Sequence, residues 1–142
     1  MLFRSGMTVR LAQRGDVPAM VAELQRHHGE HGMSWPFDSV RLSILCAHAI
    51  DADNWLALTG PDLLLLARYF DCEFGSGRHA LERIVRVPPG QLDAVLAVYE
   101  RWARDNGCVD ATLGCIRRHA AFARLYARHG YRLAETTFIK TL

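Results

Sequence analysis

A strand pattern that runs directly into a helix pattern constrains this chain more than any other stretch. Residues 80–87 are mostly apolar, as in a buried strand, and they are followed by Pro88-Pro89-Gly90. Apolar residues at helical spacing begin at once, from Leu92 to Asn106. The start of a helix has free backbone N–H groups and the positive end of the helix dipole, and both favour a bound anion. The junction is therefore a candidate anion site.

The other patterns predict a single α+β domain over residues 1–142. Before the junction, we expect strands and helices in the order strand 8–12, helix 16–28, helix 38–50, strand 55–59 and strand 63–70. After it, we expect a strand at 109–115, a helix at 117–129 and a last strand or bent pair at 131–142. The strand at 109–115 should lie parallel to the strand at 80–87, because a helix connects them. The expected fold is a mixed, mostly antiparallel central sheet with helices on both faces.

Composition excludes several classes of function. Half of the 142 residues are hydrophobic and the formal charge is only +2, which indicates a globular domain without an electrostatic case for nucleic acid. The four cysteines have no CxxC spacing, so we expect reduced thiols and no metal site. Neither a signal peptide nor an apolar run of the ~20 residues that a membrane span needs is found. These patterns predict a cytoplasmic protein, or one packaged from the cytoplasm, that binds no membrane.

Three histidines lie at the end of the first predicted helix. His27 and His31 are four residues apart and could chelate a metal with Glu23 if that helix continued. Gly29 and Gly32 instead predict that the helix ends near His28. We therefore interpret the histidines as a polar helix end.

Three segments carry a resemblance to a known family. The first strand and helix start read Arg10-x-Ala12-x-x-x-Asp16, and the junction strand reads Leu81-Glu82-x-Ile84-Val85-x-x-Pro88. The third and most specific segment is Leu125-Tyr126-Ala127-Arg128-His129-Gly130-Tyr131. Together with the order of the elements from residue 8 onward, these segments resemble the GNAT superfamily of N-acetyltransferases.

The resemblance implies a cofactor and a place for it. Acetyl-coenzyme A would lie in a cleft between the strands at 80–87 and 109–115. Backbone groups of Val85, Arg86 and Val87 would bind its pantetheine arm and acetyl group. The pyrophosphate would lie at the start of the following helix, near residues Gln91, Leu92, Asp93 and Ala94, and His119 matches a position that can also contact the cofactor.

The resemblance also implies a reaction in which the amine of a small molecule or a protein attacks the thioester. Tyr126 matches the family tyrosine that protonates the departing thiolate. Glu82 is the best-placed carboxylate for the general base, a role that requires a raised pKa or a relaying water. Each residue also has a structural alternative: Tyr126 as a core aromatic with a satisfied hydroxyl, and Glu82 as a solvated cross-strand pair partner.

The helix start departs from the glycine-rich pattern of the family. Gln91 fits the first position of the pyrophosphate loop, but Ala94 replaces a glycine and Leu96 replaces a small residue. Asp93 should cap its own helix and repel a pyrophosphate. We therefore expect an acetyltransferase with impaired cofactor binding.

The alternative function is an inactive binding or structural module of GNAT fold, such as a bacteriophage-encoded or virion protein. The apolar edge of the last predicted strand, 136–142, could pair with a second copy of the chain. A homo-oligomer or another protein assembly partner would then use that edge.

Overall fold

The computed structural model describes residues 9–33, 35–114, 119–134, 138 and 140–142, with the backbone alone at 119–121. These residues contain four α-helices: α1 (Val17–His31), α2 (Ser39–Asp51), α3 (Leu92–Asp105) and α4 (His119–Arg128). They also contain five strands: β1 (Arg10–Leu11), β2 (Trp55–Gly60), β3 (Leu63–Asp71), β4 (Arg78–Arg86) and β5 (Cys108–Thr112). Short 3-10 turns, Arg14–Asp16 and Pro89–Gln91, lead into α1 and α3.

The strands form one sheet in the order β1-β2-β3-β4-β5. The pairs β1–β2, β2–β3 and β3–β4 are antiparallel, and the pair β4–β5 is parallel. Helix α3 packs on one face, and helices α1 and α2 pack on the other. The predicted α+β class, with a mixed, mostly antiparallel sheet and helices on both faces, is confirmed.

Strand β3 is the centre of the core because both of its faces are covered. Leu63, Leu65 and Ala67 point towards α3, while Leu64 and Leu66 point towards α1 and α2. All five residues are completely buried. A fully buried leucine side chain contributes about 2 kcal/mol, which explains why a continuous apolar run, and not an alternating one, marks this strand.

The predicted end of the first helix at His28 is wrong. Helix α1 continues through Gly29 to His31, and Gly32 ends it in the left-handed conformation with φ of 56°. A glycine inside a helix costs only about 1 kcal/mol relative to alanine. Burial of Met20 and Leu24 from the same helix outweighs that cost.

The predicted strand at 131–142 is not observed in the residues that the structure describes there. Residues 131–134, 138 and 140–142 form neither strand nor helix, and residues 135–137 and 139 lie outside the described part. Leu133 is 68% exposed, so the apolar pattern that predicted a strand does not bury this side chain. The proposed edge for a second copy stays a prediction.

Candidate functional site

Strands β4 and β5 separate part of the way along β4. Their parallel register extends only from Arg78 opposite Cys108 to Leu81 opposite Thr112. Strand β4 then continues to Arg86, paired with β3 on its other side. Within the described residues, the edge of β4 beyond Leu81 has no strand partner on the β5 side. The separation opens a cleft of about 1000 Å³.

Four elements line this cleft. Strand β4 and the residues after it form its floor, and the ends of α1, α3 and α4 form its walls. The lining includes Glu82, Val85, Arg86 and Val87 from the β4 segment, His27, Glu30 and His31 from α1, Leu92 from α3, and Phe122, Leu125 and Tyr126 from α4. The cleft lies beside the β4 segment at which the family resemblance implies a cofactor.

Gly114, just after β5, brings Glu82 and Tyr126 together. Its backbone N–H donates a hydrogen bond to Glu82 Oε1 at 2.6 Å, and its carbonyl oxygen accepts one from the Tyr126 hydroxyl at 3.0 Å. A Cβ atom at position 114 would lie only 2.7 Å from Glu82 Oε1. An alanine at position 114 would therefore displace the end of the Glu82 side chain.

Glu82 occupies a partly buried position facing the cleft, unlike a solvated surface pair. Burial raises the pKa of its carboxyl group, while the Gly114 N–H and the nearby Arg83 charge partly oppose that shift. A carboxylate whose pKa is raised towards neutrality is a better proton acceptor than an exposed one. Burial therefore shifts the pKa of Glu82 in the direction that a general base requires.

The position of Tyr126 is compatible with both interpretations from the sequence. Its ring is buried with Leu92 and Leu96 in a small apolar cluster, and Phe122 packs against it. Its hydroxyl reaches the cleft at Gly114. Tyr126 is thus a core aromatic whose hydroxyl bonds to Gly114, the residue that also bonds to Glu82.

The start of α3 differs from the expected self-capped helix. The N-cap residue, Gln91, makes no side-chain capping hydrogen bond. Asp93 Oδ1 instead lies 2.9 Å from Nε2 of His129 on the segment after α4. The prediction that Asp93 caps its own helix is therefore wrong, because its carboxylate is drawn to a neighbouring imidazole.

Of the two substitutions in the expected pyrophosphate loop, Ala94 lies in the first turn of α3 and Leu96 lies just after that turn. Leu96 is completely buried against Tyr126, so its side chain points into the core. Ala94 is partly buried against the core on the α3 face. Gly90, in the turn before α3, has open space around its Cα where a Cβ would point.

Arg86 uses its side chain to tie β4 to α1. Its Nε donates to Glu23 Oε2 at 2.8 Å, and its two terminal nitrogens donate to the Glu30 carboxylate at 2.6 and 2.9 Å. The Arg86 guanidinium is thus occupied, while its backbone stays on the floor of the cleft with Val85 and Val87. His119 begins α4, and its side chain lies outside the described residues.

The α1 wall contains residues that the sequence did not assign to the site. His27 and His31 share one face because α1 continues, with ring centroids 4.3 Å apart. Burial lowers the pKa of His27 to about 4, so its ring is neutral at pH 7. No group of three or more His, Cys, Asp or Glu side chains in the described part of the chain is arranged to hold a metal.

The sequence contains only weak indications that Glu30 and Gly114 belong to the site. Glu30 was missed because the helix was expected to end before it. Gly114 was included in a predicted strand, although a glycine near a strand end can indicate a close approach of other atoms.

The described residues contain no helix that is both long enough and apolar enough to span a bilayer.

Comparison of the whole structure with solved structures identifies the fold without reference to the cleft residues. No protein-family model matches the sequence, and no curated protein does. Solved structures do match.

One is described as a predicted acetyltransferase with acetyl-CoA from Clostridium acetobutylicum, with 12% identity, a TM-score of 0.74 and coverage of 94% of each chain. A second is an aminoglycoside acetyltransferase from an uncultured soil metagenomic sample in complex with sisomicin, with 14% identity, a TM-score of 0.63 and coverage of 94% of this chain and 95% of that one.

A third is the ribosomal-protein-alanine N-acetyltransferase of Brucella melitensis biovar Abortus 2308, with 12% identity and a TM-score of 0.68. It covers 94% of this chain, and this chain covers 97% of it. At these identities the likeness concerns the fold, over nearly the whole of both chains. The chain therefore has the fold of the GNAT N-acetyltransferase superfamily.

Proposed function

We propose that this protein transfers an acetyl group from acetyl-CoA to an amine of a small molecule or a protein. The observation that carries the proposal is the convergence of Glu82 and Tyr126 on Gly114, inside the cleft where β4 and β5 separate. The acetyl-CoA in the structure of the Clostridium relative supports the choice of cofactor.

Two features of the cleft fit acetyl-CoA. The β4 edge at Val85 and Val87 offers backbone groups without a β5 partner among the described residues, and an extended amide-containing arm can bind such an edge. Gln91, at the start of α3, makes no side-chain capping hydrogen bond, and the Leu92 N–H donates to the Pro89 carbonyl. The later N–H groups of the first turn suit a phosphate. The Asp93 carboxylate in the same turn, which should repel a phosphate, pairs with His129. Because the Leu96 side chain is buried in the core, it does not occupy that end of the helix.

The chain's own residues supply the proton transfers. When bound, acetyl-CoA supplies an acetyl group activated as a thioester. Glu82 accepts the proton that the amine loses as its nitrogen forms the new bond to the acetyl carbon. Tyr126 donates its hydroxyl proton to the sulfur as the carbon–sulfur bond breaks. Gly114 bonds to Glu82 through its N–H and to Tyr126 through its carbonyl, which supports a proton donor and a proton acceptor on one reacting centre.

The acceptor amine is a separate question from the fold. Two relatives of similar structure differ in what their descriptions name, sisomicin in one and ribosomal-protein alanine in the other. We therefore propose only an amine acceptor, and a screen of aminoglycosides, polyamines and peptides with free N-termini would identify it.

Thermal melting with acetyl-CoA tests the proposal directly. A ligand present at about 100 times its dissociation constant stabilises the folded state by about 2.7 kcal/mol. We expect acetyl-CoA at millimolar concentration to raise the melting temperature, and added acceptor to release coenzyme A, measured by chromatography. Absence of both effects would leave the binding or structural module as the better explanation.

A matched pair of glycine variants tests where on the protein the acetyl transfer takes place. Gly114→Ala places a Cβ against Glu82 Oε1, whereas Gly29→Ala adds a Cβ in open space on the exposed side of α1. We expect Gly114→Ala to displace Glu82 and lower the rate of acetyl transfer about tenfold or more, because a misplaced catalytic group loses efficiency steeply. Gly29→Ala should retain the wild-type rate. Equal rates for both variants would contradict a reaction at the β4–β5 separation.

A further inference from the structure

A cysteine, a histidine and an aspartate lie near one another at the end of β4 away from the cleft, with Cys72 directly after β3, His79 on β4 and Asp110 on β5. Phe70 on β3 pairs with His79 on β4, and His79 pairs with Asp110 on β5. Cys72 follows two residues after Phe70, and its N–H donates to the Gly77 carbonyl at 2.9 Å. Cys72 is therefore close enough in the chain to interact with His79, and the two side chains do so.

The three side chains are in contact. His79 Nδ1 lies 2.5 Å from Asp110 Oδ1, and the Cys72 thiol is hydrogen-bonded to the His79 ring. Backbone N–H groups of Phe74 and Gly75 also approach the sulfur. A positive imidazole and backbone donors stabilise a thiolate, and a carboxylate stabilises and orients the imidazolium.

The contacts have a direct effect on protonation. The hydrogen bond from His79, followed by the backbone N–H of Phe74, lowers the pKa of the Cys72 thiol. The same contact with Cys72, and then the bond to Asp110, raises the pKa of His79. Both shifts favour the thiolate–imidazolium pair over the neutral pair.

Other described cysteines lack such surroundings. Cys46 is completely buried, and burial raises its pKa to about 11. Burial also raises the pKa of Cys108. Cys72 is only partly buried, and the neighbouring Phe74 side chain is 97% exposed. Cys72 is therefore the described cysteine that combines partial exposure with a lowered thiol pKa.

We propose that Cys72, His79 and Asp110 form a reactive thiol site that exchanges with low-molecular-weight disulfides. The Cys72 thiolate attacks one sulfur of the disulfide, a new sulfur–sulfur bond forms, and the original one breaks. His79, which holds the proton from the thiol, passes it to the departing thiolate. The products are a mixed disulfide on Cys72 and one free small thiol, and excess thiol reverses the step.

Other charged groups near this site keep their own partners. The Arg68 guanidinium lies 5.9 Å from the Phe70 ring centroid. Arg78 forms an ion pair with Asp71 at 3.5 Å and lies over the Tyr69 ring. Asp71 is therefore a matched control for Asp110, because it is a nearby carboxylate that does not contact His79.

The test is the rate at which 5,5′-dithiobis(2-nitrobenzoate) reacts with the intact protein. At pH 7 we expect one fast thiol, reacting about three- to tenfold faster than glutathione, because a larger thiolate fraction outweighs lower intrinsic nucleophilicity. Peptide mass mapping should place the adduct on Cys72, and Cys72→Ser should remove the fast phase. His79→Gln should shift the pH midpoint of the reaction upwards, and Asp110→Asn should do so to a smaller extent. Asp71→Asn should leave the midpoint unchanged.

Two results would overturn the site. One is a fast phase that survives in Cys72→Ser, and the other is a pH midpoint for Cys72 that is the same in wild type and in His79→Gln. Circular dichroism of each variant verifies folding. The rate of the thiol reaction and its pH midpoint can both be measured without acetyl-CoA and without turnover. Failure of this proposal is therefore distinguishable from failure of the proposed acetyl transfer.

Discussion

The two ends of β4 are built from one continuous strand but have opposite surroundings. At the Arg78 end, β4 lies between β3 and β5, and side chains pair across the strands, as His79 does with Asp110. At the Arg86 end, β5 has diverged, and only β3 still pairs with β4. Backbone groups that lack a strand partner must find another one. The contrast teaches that strand separation itself creates the cleft in which we propose that acetyl-CoA binds.

The ends also differ in how their charges are buried. The Arg86 and Glu23 side chains at the cleft end are 20% and 7% exposed, while those of His79 and Asp110 are 28% and 52% exposed. Charges with little solvent interact strongly, and exposed pairs are screened. We therefore expect variants at the cleft end to have larger effects than variants at the Arg78 end.

The largest expected effect is on catalysis, from Glu82→Gln. Loss of a general base lowers kcat/KM by about 100- to 10,000-fold. The wild-type rate should rise with pH as Glu82 loses its proton, with a midpoint above the ordinary value of 4.5, and Glu82→Gln should lose that limb of the profile. Tyr126→Phe should lower kcat but retain the limb, because Glu82 is still present.

The stability of Glu82→Gln distinguishes loss of a catalytic group from misfolding of the variant. Because the folded-state pKa of Glu82 is raised, its contribution to stability is full at low pH and is lost as pH rises through that pKa. Glu82→Gln should therefore be at least as stable as wild type at pH 7 in urea unfolding. A variant that is inactive and also much less stable would not support a catalytic role.

The sequence predicted the fold better than it predicted the site. Strand β3, the parallel position of β5 and the helix before β5 follow from apolar patterns and connection rules, which depend on local sequence. The end of α1 was misplaced because the local effect of Gly29 was weaker than the burial of Met20 and Leu24.

The site depended on contacts that no local pattern contains. Asp93 was expected to cap its own helix, yet it pairs with His129, thirty-six positions later in the chain. The role of Gly114 depends on Glu82 and Tyr126 arriving from two other elements. Resemblance to a family supplied Tyr126 and Glu82, but the geometry that joins them required the structure.

The second-largest expected effect is a loss of stability in Arg86→Met. Without this guanidinium, the buried Glu23 carboxylate keeps Arg26 as its partner and loses the bond from Arg86. We expect the free energy of unfolding to fall by about 1–3 kcal/mol, the cost of an under-satisfied buried group. Arg83→Met, at an exposed position on the same strand, should stay within about 0.5 kcal/mol of wild type in urea unfolding. An equal loss in both variants would remove the distinction between buried and exposed charges on β4.

The smallest effect, from Asp110→Asn, concerns the Arg78 end and should depend on pH. Because the folded-state pKa of His79 is raised above 6.5, the stability from its charged form is present below pH 6.5 and is lost as pH rises through the folded-state pKa. In urea unfolding across this range, wild type should exceed Asp110→Asn at low pH and converge with it at high pH. The exposed pair is screened by solvent, so the difference should be smaller than for Arg86→Met. Asp71→Asn should show no such convergence, because its partner Arg78 stays charged throughout. A difference for Asp110→Asn that did not change with pH would mean that Asp110 acts without the His79 proton, and that the two ends of β4 do not differ in the way their charges stabilise the fold.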